Sequence, residues 1–473
     1  MVDVLSEMME SPQAIMNHTL DKAFEFAPEQ IRKFQDHWVI KRFAELRPRV
    51  AMLDKLAKEQ GIEAIACADD AVPLMLSHTV YKSYPLSYLE NSRFDKLTKW
   101  LSGLTVTDLS GVDGAAIESI DDWIDELEVK SGLLVTHTSG TTGKLSFLPW
   151  TKEQTRNTCA LYSHVWRDFN GAYTGPDMAK GNLALITPSY RNGAGMAQRM
   201  ARLRIEMFAD GNEDNILFLY PEERLSADVM SLSGRIRTAE AKGELGALKI
   251  PEALLRRRDE YIAREKARPL AMSRFFQEVQ SRFAGRDVWI GAMYGMFYDW
   301  AVEGLNQGHR HIFSPNSFAT IGGGKKGRQL PEGWREKIAE FLGFPVTNDI
   351  YAMSECTVPS ALCAEGKYHF PPMAVPYVLD PKTGALLPRK DGTVGRLALF
   401  DVMPDTYWAG FVSGDEVIAG GWEKPCRCGR TGFYVDASIR RYSEKEGGDD
   451  KVLCAGAPEA HDSAIAFLTG YAQ

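Results

Sequence analysis

Residues 134–149 read Leu-Val-Thr-His-Thr-Ser-Gly-Thr-Thr-Gly-Lys-Leu-Ser-Phe-Leu-Pro, and the core of this stretch is 138–144. Its two glycines allow a tight turn in which the backbone approaches a ligand closely. Backbone N–H groups freed in such a turn form an anion-binding concavity, and the hydroxyls and the lysine ammonium add donors. An apolar run at 133–135 predicts a strand that leads into the loop. The stretch therefore predicts a loop that holds the phosphates of a nucleoside triphosphate, with a polar surface loop as the alternative.

The spacing of the glycines excludes a Walker A loop. That motif carries a longer spacer before its Gly-Lys pair, whereas only Thr141 and Thr142 separate Gly140 from Gly143. The run instead resembles the phosphate loop of the adenylate-forming superfamily, which includes acyl-CoA ligases, peptide-synthetase adenylation domains and luciferases. The resemblance implies that the loop binds the β- and γ-phosphates of ATP through Thr138, Ser139, Gly140, Thr141, Thr142, Gly143 and the catalytic Lys144.

The composition is that of an ordinary globular protein. The chain has 473 residues, of which 44% are hydrophobic and 25% charged, and its length allows two or three domains. A net charge of −8 argues against a nucleic-acid partner. The first residues show no signal-peptide pattern and no run is apolar enough for a membrane span, so we expect a cytoplasmic protein. Seven irregularly spaced cysteines indicate metal, catalytic or core thiols rather than disulfides.

Alternating patterns along the chain predict an α/β fold with a mostly parallel sheet. Helical periodicity alternates with short apolar runs at 182–187, 214–220, 288–291 and 319–321. From residue 372, short strands separated by Asp, Gly and Pro turns predict an antiparallel sheet or small barrel. With the resemblance, the expected organisation is a helical segment at 1–110, an α/β nucleotide- and acyl-binding core at 111–371, a small β-barrel-like subdomain at 372–440 and a vestigial tail at 441–473.

Two further motifs follow the loop at the order and distances expected of the resemblance. Tyr351-Ala352-Met353-Ser354-Glu355 is similar to the Tyr-Gly-x-Thr-Glu run of adenylate-forming enzymes. The resemblance implies that Tyr351 lies near adenine, Ser354 faces the phosphates and Glu355 binds Mg²⁺, a hard cation that prefers carboxylate oxygens. The alternative is a Ser-Glu pair that caps a helix.

Ser413-Gly414-Asp415 is similar to the Thr-Gly-Asp run of the same superfamily. The resemblance implies that Asp415 accepts hydrogen bonds from the ribose hydroxyls, which suits an acceptor-only carboxylate. The alternative is a type I turn. Arg440 and Arg441 are expected to contact the ribose or the phosphates, with Arg441 counted among the catalytic residues.

The spacing Cys363-x5-His369 with Cys426-x-Cys428 predicts a Cys₃His zinc site. Phenylacetate-CoA ligase-like enzymes carry a similar Cys-Gly-Arg-Thr run here, and some of them bind structural zinc. Such a zinc ion would stabilise the small β region. The alternative is core thiols with a surface histidine.

Gly322-Gly323-Gly324-Lys325-Lys326 resembles the Gly-Gly-Gly-x-Lys of luminescence-type acyl-protein synthetases, which also resemble the chain at Tyr81-Lys82-Ser83. The resemblance places Gly322 and Gly323 beside the adenine and acyl pocket; the alternative is a flexible turn. In that group the acyl group passes to a cysteine near the end of the chain. Cys454 is a possible acceptor of this kind, although a core thiol is the favoured interpretation. Only 22 residues follow Lys451, so the usual mobile C-terminal domain is expected to be absent or vestigial.

Together these motifs predict a ligase that uses ATP and Mg²⁺ to adenylate a small carboxylic acid and then transfers the acyl group to a thiol. The thiol belongs to CoA, a carrier protein or the enzyme itself, and an acyl carrier or a reductase is a possible partner. Aromatic and Met residues at 293–300 favour a fatty or aryl acid, although ordinary core is the favoured role for them. The alternatives are an amide-forming adenylating enzyme and a non-catalytic nucleotide-binding subunit.

Overall fold

The computed structural model describes residues 3–77, 79–138, 144–168, 183–322, 330–346 and 348–442. The first part of the chain is helical and carries one short strand. The α-helices here are α1 Val4–Glu10, α2 Pro28–Leu46, α3 Ala51–Glu59, α4 Ser87–Glu90, α5 Phe94–Ser102 and α6 Ile120–Ser131, and strand β1 is Leu76–Ser77. Short 3₁₀ turns include Leu20–Phe24 and Val80–Lys82.

The middle of the chain alternates strands and helices. The strands are β2 Thr136–His137, β3 Phe147–Leu148, β4 Ala184–Gly193, β5 Ile216–Leu225, β6 Val288–Met293, β7 Phe318–Gly322 and β8 Asn348–Tyr351. The helices are α7 Lys152–Asp168, α8 Met196–Phe208, α9 Ala227–Lys242, α10 Glu252–Arg256, α11 Arg258–Glu278, α12 Tyr294–Asn306 and α13 Trp334–Leu342. Strands β8, β7, β6, β4 and β5 lie side by side in this order, and every pairing among them is parallel. The predicted α/β class with a parallel sheet is confirmed.

The later strands are antiparallel, as predicted. They are β9 Ser360–Leu362, β10 Lys367–His369, β11 Ala374–Leu379, β12 Thr393–Asp401, β13 Gly410–Gly420, β14 Tyr434–Asp436 and β15 Arg440–Arg441. The order β11-β12-β13-β14-β10-β9 joins the parallel strands through the antiparallel pairing of β9 with β8. Strand β1 pairs with β13 in parallel, and β15 pairs with β13 as well.

Local sequence explains several of the boundaries. Thr151 caps α7, because its hydroxyl accepts from Gln154 N at 3.1 Å while the Gln154 side chain accepts from Thr151 N at 3.0 Å. Helix α6 ends at Gly132, which has a φ of 73°. The apolar run at 182–187 predicts a strand that stops before Pro188, but β4 continues to Gly193. Its register with β5 shifts between Thr187 and Tyr190, and this irregularity accommodates the proline, which has no N–H to donate.

Two large cores show which segments fold together. Buried apolar side chains of α1–α3 pack with those of β11–β14, whereas buried side chains of α5 and α6 pack with the parallel strands and α12. The domain boundaries at 110, 371 and 440 stay predictions. None of the helices in the described part of the chain combines the length and apolar character that a bilayer span requires.

Candidate active site

The parallel strands end at one edge of the sheet, and several predicted site residues lie there. Gly322 is the last residue of β7 and pairs with Met293, the last residue of β6, while Tyr351 is the last residue of β8. Ligands of open α/β sheets bind outside the carboxyl ends of the strands. The sheet topology therefore places this edge where a nucleotide can bind.

Tyr351 and Asp415 meet across the junction between the parallel and antiparallel strands. The Tyr351 hydroxyl donates to Asp415 Oδ2 at 2.5 Å, and the Arg441 Nε lies 3.6 Å from Asp415 Oδ1. Burial and the neighbouring carboxylate raise the pKa of Tyr351 well above its usual value, so this hydroxyl stays a donor at neutral pH. The Ser413 hydroxyl accepts from Asp415 N at 3.1 Å, and both residues lie within β13 rather than in the type I turn that was the alternative. The structure thus brings together three predicted site residues.

Glu355 follows Tyr351 by four residues and is half-buried. Burial raises the pKa of its carboxyl, while the positive charges of Lys82 and Arg441 act against that rise. A partly desolvated carboxylate is suited to a divalent cation. Ser354 lies beside it, half-buried in the same turn. Arg440 is exposed and lies opposite Glu416 in the pairing of β15 with β13.

Strands β2 and β3, which flank the predicted phosphate loop along the chain, pair in antiparallel. Residues Ser139, Gly140, Thr141, Thr142 and Gly143 lie outside the described residues. At the base of the hairpin, Thr138 N donates to Ser146 O at 3.1 Å and Thr138 Oγ1 accepts from Ser146 N at 3.2 Å. Lys144 Nζ donates to the backbone oxygen of Tyr84 at 2.7 Å. The described residues on either side of the loop are therefore held in place, Thr138 by Ser146 across the hairpin and Lys144 by Tyr84.

No motif in the sequence assigned a role to His137, which directly precedes Thr138. It is buried, and burial lowers its pKa to about 4, so it is neutral at physiological pH. Its Nδ1 lies 3.1 Å from Thr138 O, and its Nε2 has no hydrogen-bond partner among the described residues. In the sequence, only its position next to the loop could have indicated a role for it.

The four predicted metal ligands converge. Cys363, His369, Cys426 and Cys428 place their ligand atoms within 4.8 Å of one another, and Cys428 Sγ lies 3.4 Å from His369 Nε2. Burial, aided by the Arg430 charge, lowers the pKa of His369 to about 3, so its imidazole is neutral and able to bind a metal. Three sulfurs and one imidazole at these separations fit tetrahedral zinc.

Strand β10 connects the cluster of Cys363, His369, Cys426 and Cys428 to Tyr351 of the candidate site. His369 belongs to the cluster, whereas Tyr368, the residue before it, places its ring 5.8 Å from that of Tyr351. Successive side chains of a strand point to opposite faces. Phe370 follows and lies 6.0 Å from the Tyr351 ring. Tyr368 and Phe370 are aromatic neighbours of the site that no motif indicated.

The remaining sequence predictions concern Gly323, Cys454 and the aromatic run at 293–300. Gly323 and Cys454 lie outside the described residues. Within the aromatic run at 293–300, Phe297 and Trp300 are buried in the core that contains the parallel strands, which agrees with the favoured interpretation. Tyr294 and Tyr298 are partly buried against the same core.

Comparisons with known proteins add structural likeness only. No sequence profile of a protein family and no curated protein matches the chain. Among solved structures, 2-hydroxyisobutyryl-CoA ligase in complex with 2-HIB-AMP and CoA is 12% identical, with 89% of this chain and 70% of that chain covered at a TM-score of 0.46. Malonyl-CoA ligase with methylmalonyl-CoA and AMP is 13% identical over 65% of this chain and 52% of that chain, at a TM-score of 0.32.

The amide bond synthetase McbA from Marinactinospora thermotolerans is 13% identical over 65% of this chain and 48% of that chain, at a TM-score of 0.33. The chain thus spans about half the length of malonyl-CoA ligase and of McbA. Because the identities and TM-scores are low, the function proposed below rests on the chain's own residues. The likeness to these three structures is one of fold alone.

Proposed function

We propose that the protein is an acyl-adenylate-forming ligase that activates a carboxylic acid with ATP and transfers the acyl group to a thiol. The observation that carries the proposal is the meeting of Tyr351, Asp415 and Arg441 at the carboxyl edge of the sheet. Three segments that are distant in sequence there supply an aromatic ring, an acceptor carboxylate and a cation. These are the groups needed for adenine, for a ribose diol and for a phosphate.

In the first step a carboxylate oxygen of the acid attacks the α-phosphorus of ATP. A bond from that oxygen to phosphorus forms, the bond to the β-phosphate oxygen breaks, and pyrophosphate leaves. The loop 138–144 holds the β- and γ-phosphates, with Lys144 supplying a positive charge as the bond breaks. Asp415 orients the ribose, and Arg441 lies within reach of the ribose or the phosphates. Most of the rate enhancement then comes from positioning and charge stabilisation.

Glu355 is proposed as the protein ligand for Mg²⁺. The ion would neutralise phosphate charge and orient the phosphates. The half-buried position of the carboxylate fits this role, because burial without a cation raises its pKa and favours the protonated form. A bound dication would favour the ionised form.

The cluster of Cys363, His369, Cys426 and Cys428 is proposed as a structural zinc site. A closed set of four protein ligands is typical of structural zinc, whereas a catalytic site keeps an open position. A zinc ion held there would connect the turn after β9 to the segment between β13 and β14.

In the second step a thiolate attacks the acyl carbon and AMP leaves. The acceptor is proposed to be the thiol of CoA, of a carrier protein or of the enzyme itself, with a fatty or aryl acid as the substrate class. An amide-forming enzyme is the alternative, and a demand for a free amine during product formation would favour it.

The test is carboxylate-dependent exchange of pyrophosphate into ATP by the purified protein, across fatty and aryl acids. Exchange reports the first step alone and needs no acceptor. We expect exchange with one class of acid. A zinc-replete, folded protein that gives no exchange with any acid would favour the non-catalytic nucleotide-binding subunit.

A further inference from the structure

The turn that carries Glu355 is tied to the antiparallel strands on both of its sides. Before the turn, the Tyr351 hydroxyl donates to Asp415 Oδ2 in β13 at 2.5 Å. After the turn, Thr357 N and Thr357 Oγ1 both donate to Asp401 Oδ2, each at 2.6 Å. Asp401 is the last residue of β12, which pairs with β13 in the sheet. The turn is therefore held between two carboxylates that belong to adjacent strands.

The turn itself is short and is closed by a backbone hydrogen bond. Cys356 N donates to Met353 O at 3.2 Å, so Ser354 and Glu355 are the two central residues. Thr357 directly follows Cys356 and is 3% exposed. Because a single residue separates Glu355 from Thr357, a shift of the Thr357 backbone also moves the backbone of Glu355. The direction of the Glu355 side chain therefore depends on where Thr357 is fixed.

Asp401 is a buried carboxylate to which no motif assigned a role. It is 0% exposed, and its Oδ1 accepts a third hydrogen bond, from Met403 N at 2.9 Å. Burial raises the pKa of Asp401, while the hydrogen bonds from Thr357 and Met403 act against that rise. A buried carboxylate is costly unless donors satisfy it, and these donors come from two separate segments of the chain. Asp401 thus joins the end of β12 to the turn that carries Glu355.

We propose that Asp401 is a positioning residue of the adenylation reaction, which acts through Thr357 to fix the direction of Glu355 before Mg²⁺ and ATP bind. Asp401 itself touches neither the metal nor the substrate, because its side chain is fully buried. Loss of a residue that orients a metal ligand lowers metal affinity or activity by about 10- to 100-fold. This inference rests on the proposed function, in which Glu355 binds Mg²⁺.

The experiment measures pyrophosphate exchange at varied Mg²⁺ in the full-length variants Thr357→Val and Thr357→Ser. Valine keeps the shape of threonine but removes the hydroxyl, which leaves Asp401 Oδ2 with the backbone donor of residue 357 alone. We expect T357V to raise the Mg²⁺ concentration for half-maximal exchange about tenfold, with little change in kcat at saturating Mg²⁺. T357S restores the hydroxyl and should restore the Mg²⁺ requirement of the wild type.

Thr383 offers a matched control. Its N and Oγ1 donate to Asp380 Oδ1 at 2.8 Å and 3.0 Å, the same pair of bonds to one carboxylate oxygen, but on an exposed turn after β11. Thr383→Val should therefore keep the Mg²⁺ requirement of the wild type. An unchanged requirement in T357V, an equal increase in T383V, or a T357S variant no better than T357V would each overturn the proposal.

A binding measurement separates this inference from the proposed function. Calorimetric titration with ATP, in Mg²⁺ and in EDTA, gives the factor by which the metal strengthens ATP binding. We expect T357V to lower this factor about tenfold while its affinity in EDTA stays that of the wild type. If the wild type gives no exchange with any acid, adenylation fails and this factor alone decides the role of the turn. A wild type whose ATP affinity does not depend on Mg²⁺ would overturn the inference.

Amide hydrogen exchange of the wild type provides a test that needs no variant, in case T357V does not fold. The Thr357 amide donates to a fully buried carboxylate, so in the protein without ligand it should exchange slowly. Mass spectrometry of peptides that cover residues 352–358 measures this rate. Fast exchange that becomes slow only after MgATP is added would show that the turn is not fixed beforehand, and would overturn the inference.

Discussion

At the scale of single residues, Asp415 is the acceptor on which the proposed nucleotide site depends. Tyr351 donates to Oδ2, and Arg441 lies near Oδ1. The two partners hold the carboxylate in one orientation before any ligand arrives. The hydroxyls of a ribose diol that binds here donate to carboxylate lone pairs that are already oriented. Preorganisation of this kind lowers the cost of binding.

Replacement of Asp415 by Asn tests this role. The amide removes the charge and turns one acceptor into a donor, so D415N should raise KM for ATP about tenfold, a loss of about 1.4 kcal/mol. The exchange assay at saturating acid measures it. Glu416→Gln, at the next position of β13, is the control and should leave KM unchanged. An unaltered KM in D415N would remove Asp415 from the site.

At the scale of elements, helices α6 and α9 cap each other. Asp228, in the first turn of α9, accepts from Ile120 N at 2.8 Å and Asp121 N at 3.0 Å. Asp121, in the first turn of α6, accepts from Ala227 N at 3.0 Å. Each carboxylate satisfies N–H groups that the other helix leaves unpaired. Helix α6 precedes β2 along the chain, so this arrangement helps to position the strands β2 and β3.

The burial of Asp228 beside Asp121 predicts a pH-dependent stability. Burial, with the nearby Asp121 charge, raises the pKa of Asp228 to about 8. Because the folded state holds this proton more tightly than the unfolded state, the stabilisation is complete below the unfolded pKa of about 4 and is lost as pH rises toward 8. Relative to Asp228→Asn, which does not titrate, the wild type should lose up to about 1.4 kcal/mol of unfolding free energy per pH unit in this range.

Thermal unfolding of the wild type and D228N from pH 5 to pH 8 measures this difference. The exposed Asp113→Asn is the control, and its profile should run parallel to that of the wild type. Parallel profiles for D228N as well would show that Asp228 does not titrate in this range.

At the scale of the whole molecule, the metal cluster lies where the N-terminal helices meet the antiparallel strands. The Phe24 ring is 5.9 Å from that of His369, Arg430 pairs with Asp21 at 3.0 Å, and Thr431 N donates to Phe24 O at 2.9 Å. A metal ion in the cluster would therefore stabilise the contact between two distant parts of the chain, since Arg430 and Asp21 are 409 residues apart.

We expect about one zinc per chain by elemental analysis, in line with the one four-ligand cluster found among the described residues. Cys426→Ser should lose the metal and lower the melting temperature by roughly 5 °C or more, because binding energy at a structural zinc site is folding energy. Cys67→Ser is the control, since Cys67 lies outside the cluster. A metal-free wild type with the melting temperature of C426S would contradict the zinc proposal.

Local sequence patterns were sufficient to predict much of the fold and of the candidate site of this protein. Hydrophobic periodicity predicted the alternation of helices and strands, because burial of one face follows from the spacing of apolar residues. The spacing of Cys363, His369, Cys426 and Cys428 predicted a metal cluster, and these side chains do meet. Motif chemistry selected Tyr351 and Asp415, which the structure brings to 2.5 Å.

Tertiary structure decided what no local pattern can encode. Leu76 lies opposite Phe411 because β1 pairs with β13 in parallel, a contact between segments more than 300 residues apart that depends on sheet register. Asp121 and Asp228 cap each other because α6 and α9 begin side by side, across 107 residues of chain. Strand β4 continues beyond Pro188 because its register with β5 shifts at that point. Sequence determined which groups are available, and the packing of distant strands and helices determined which of them meet, because contacts of this kind depend on the whole chain.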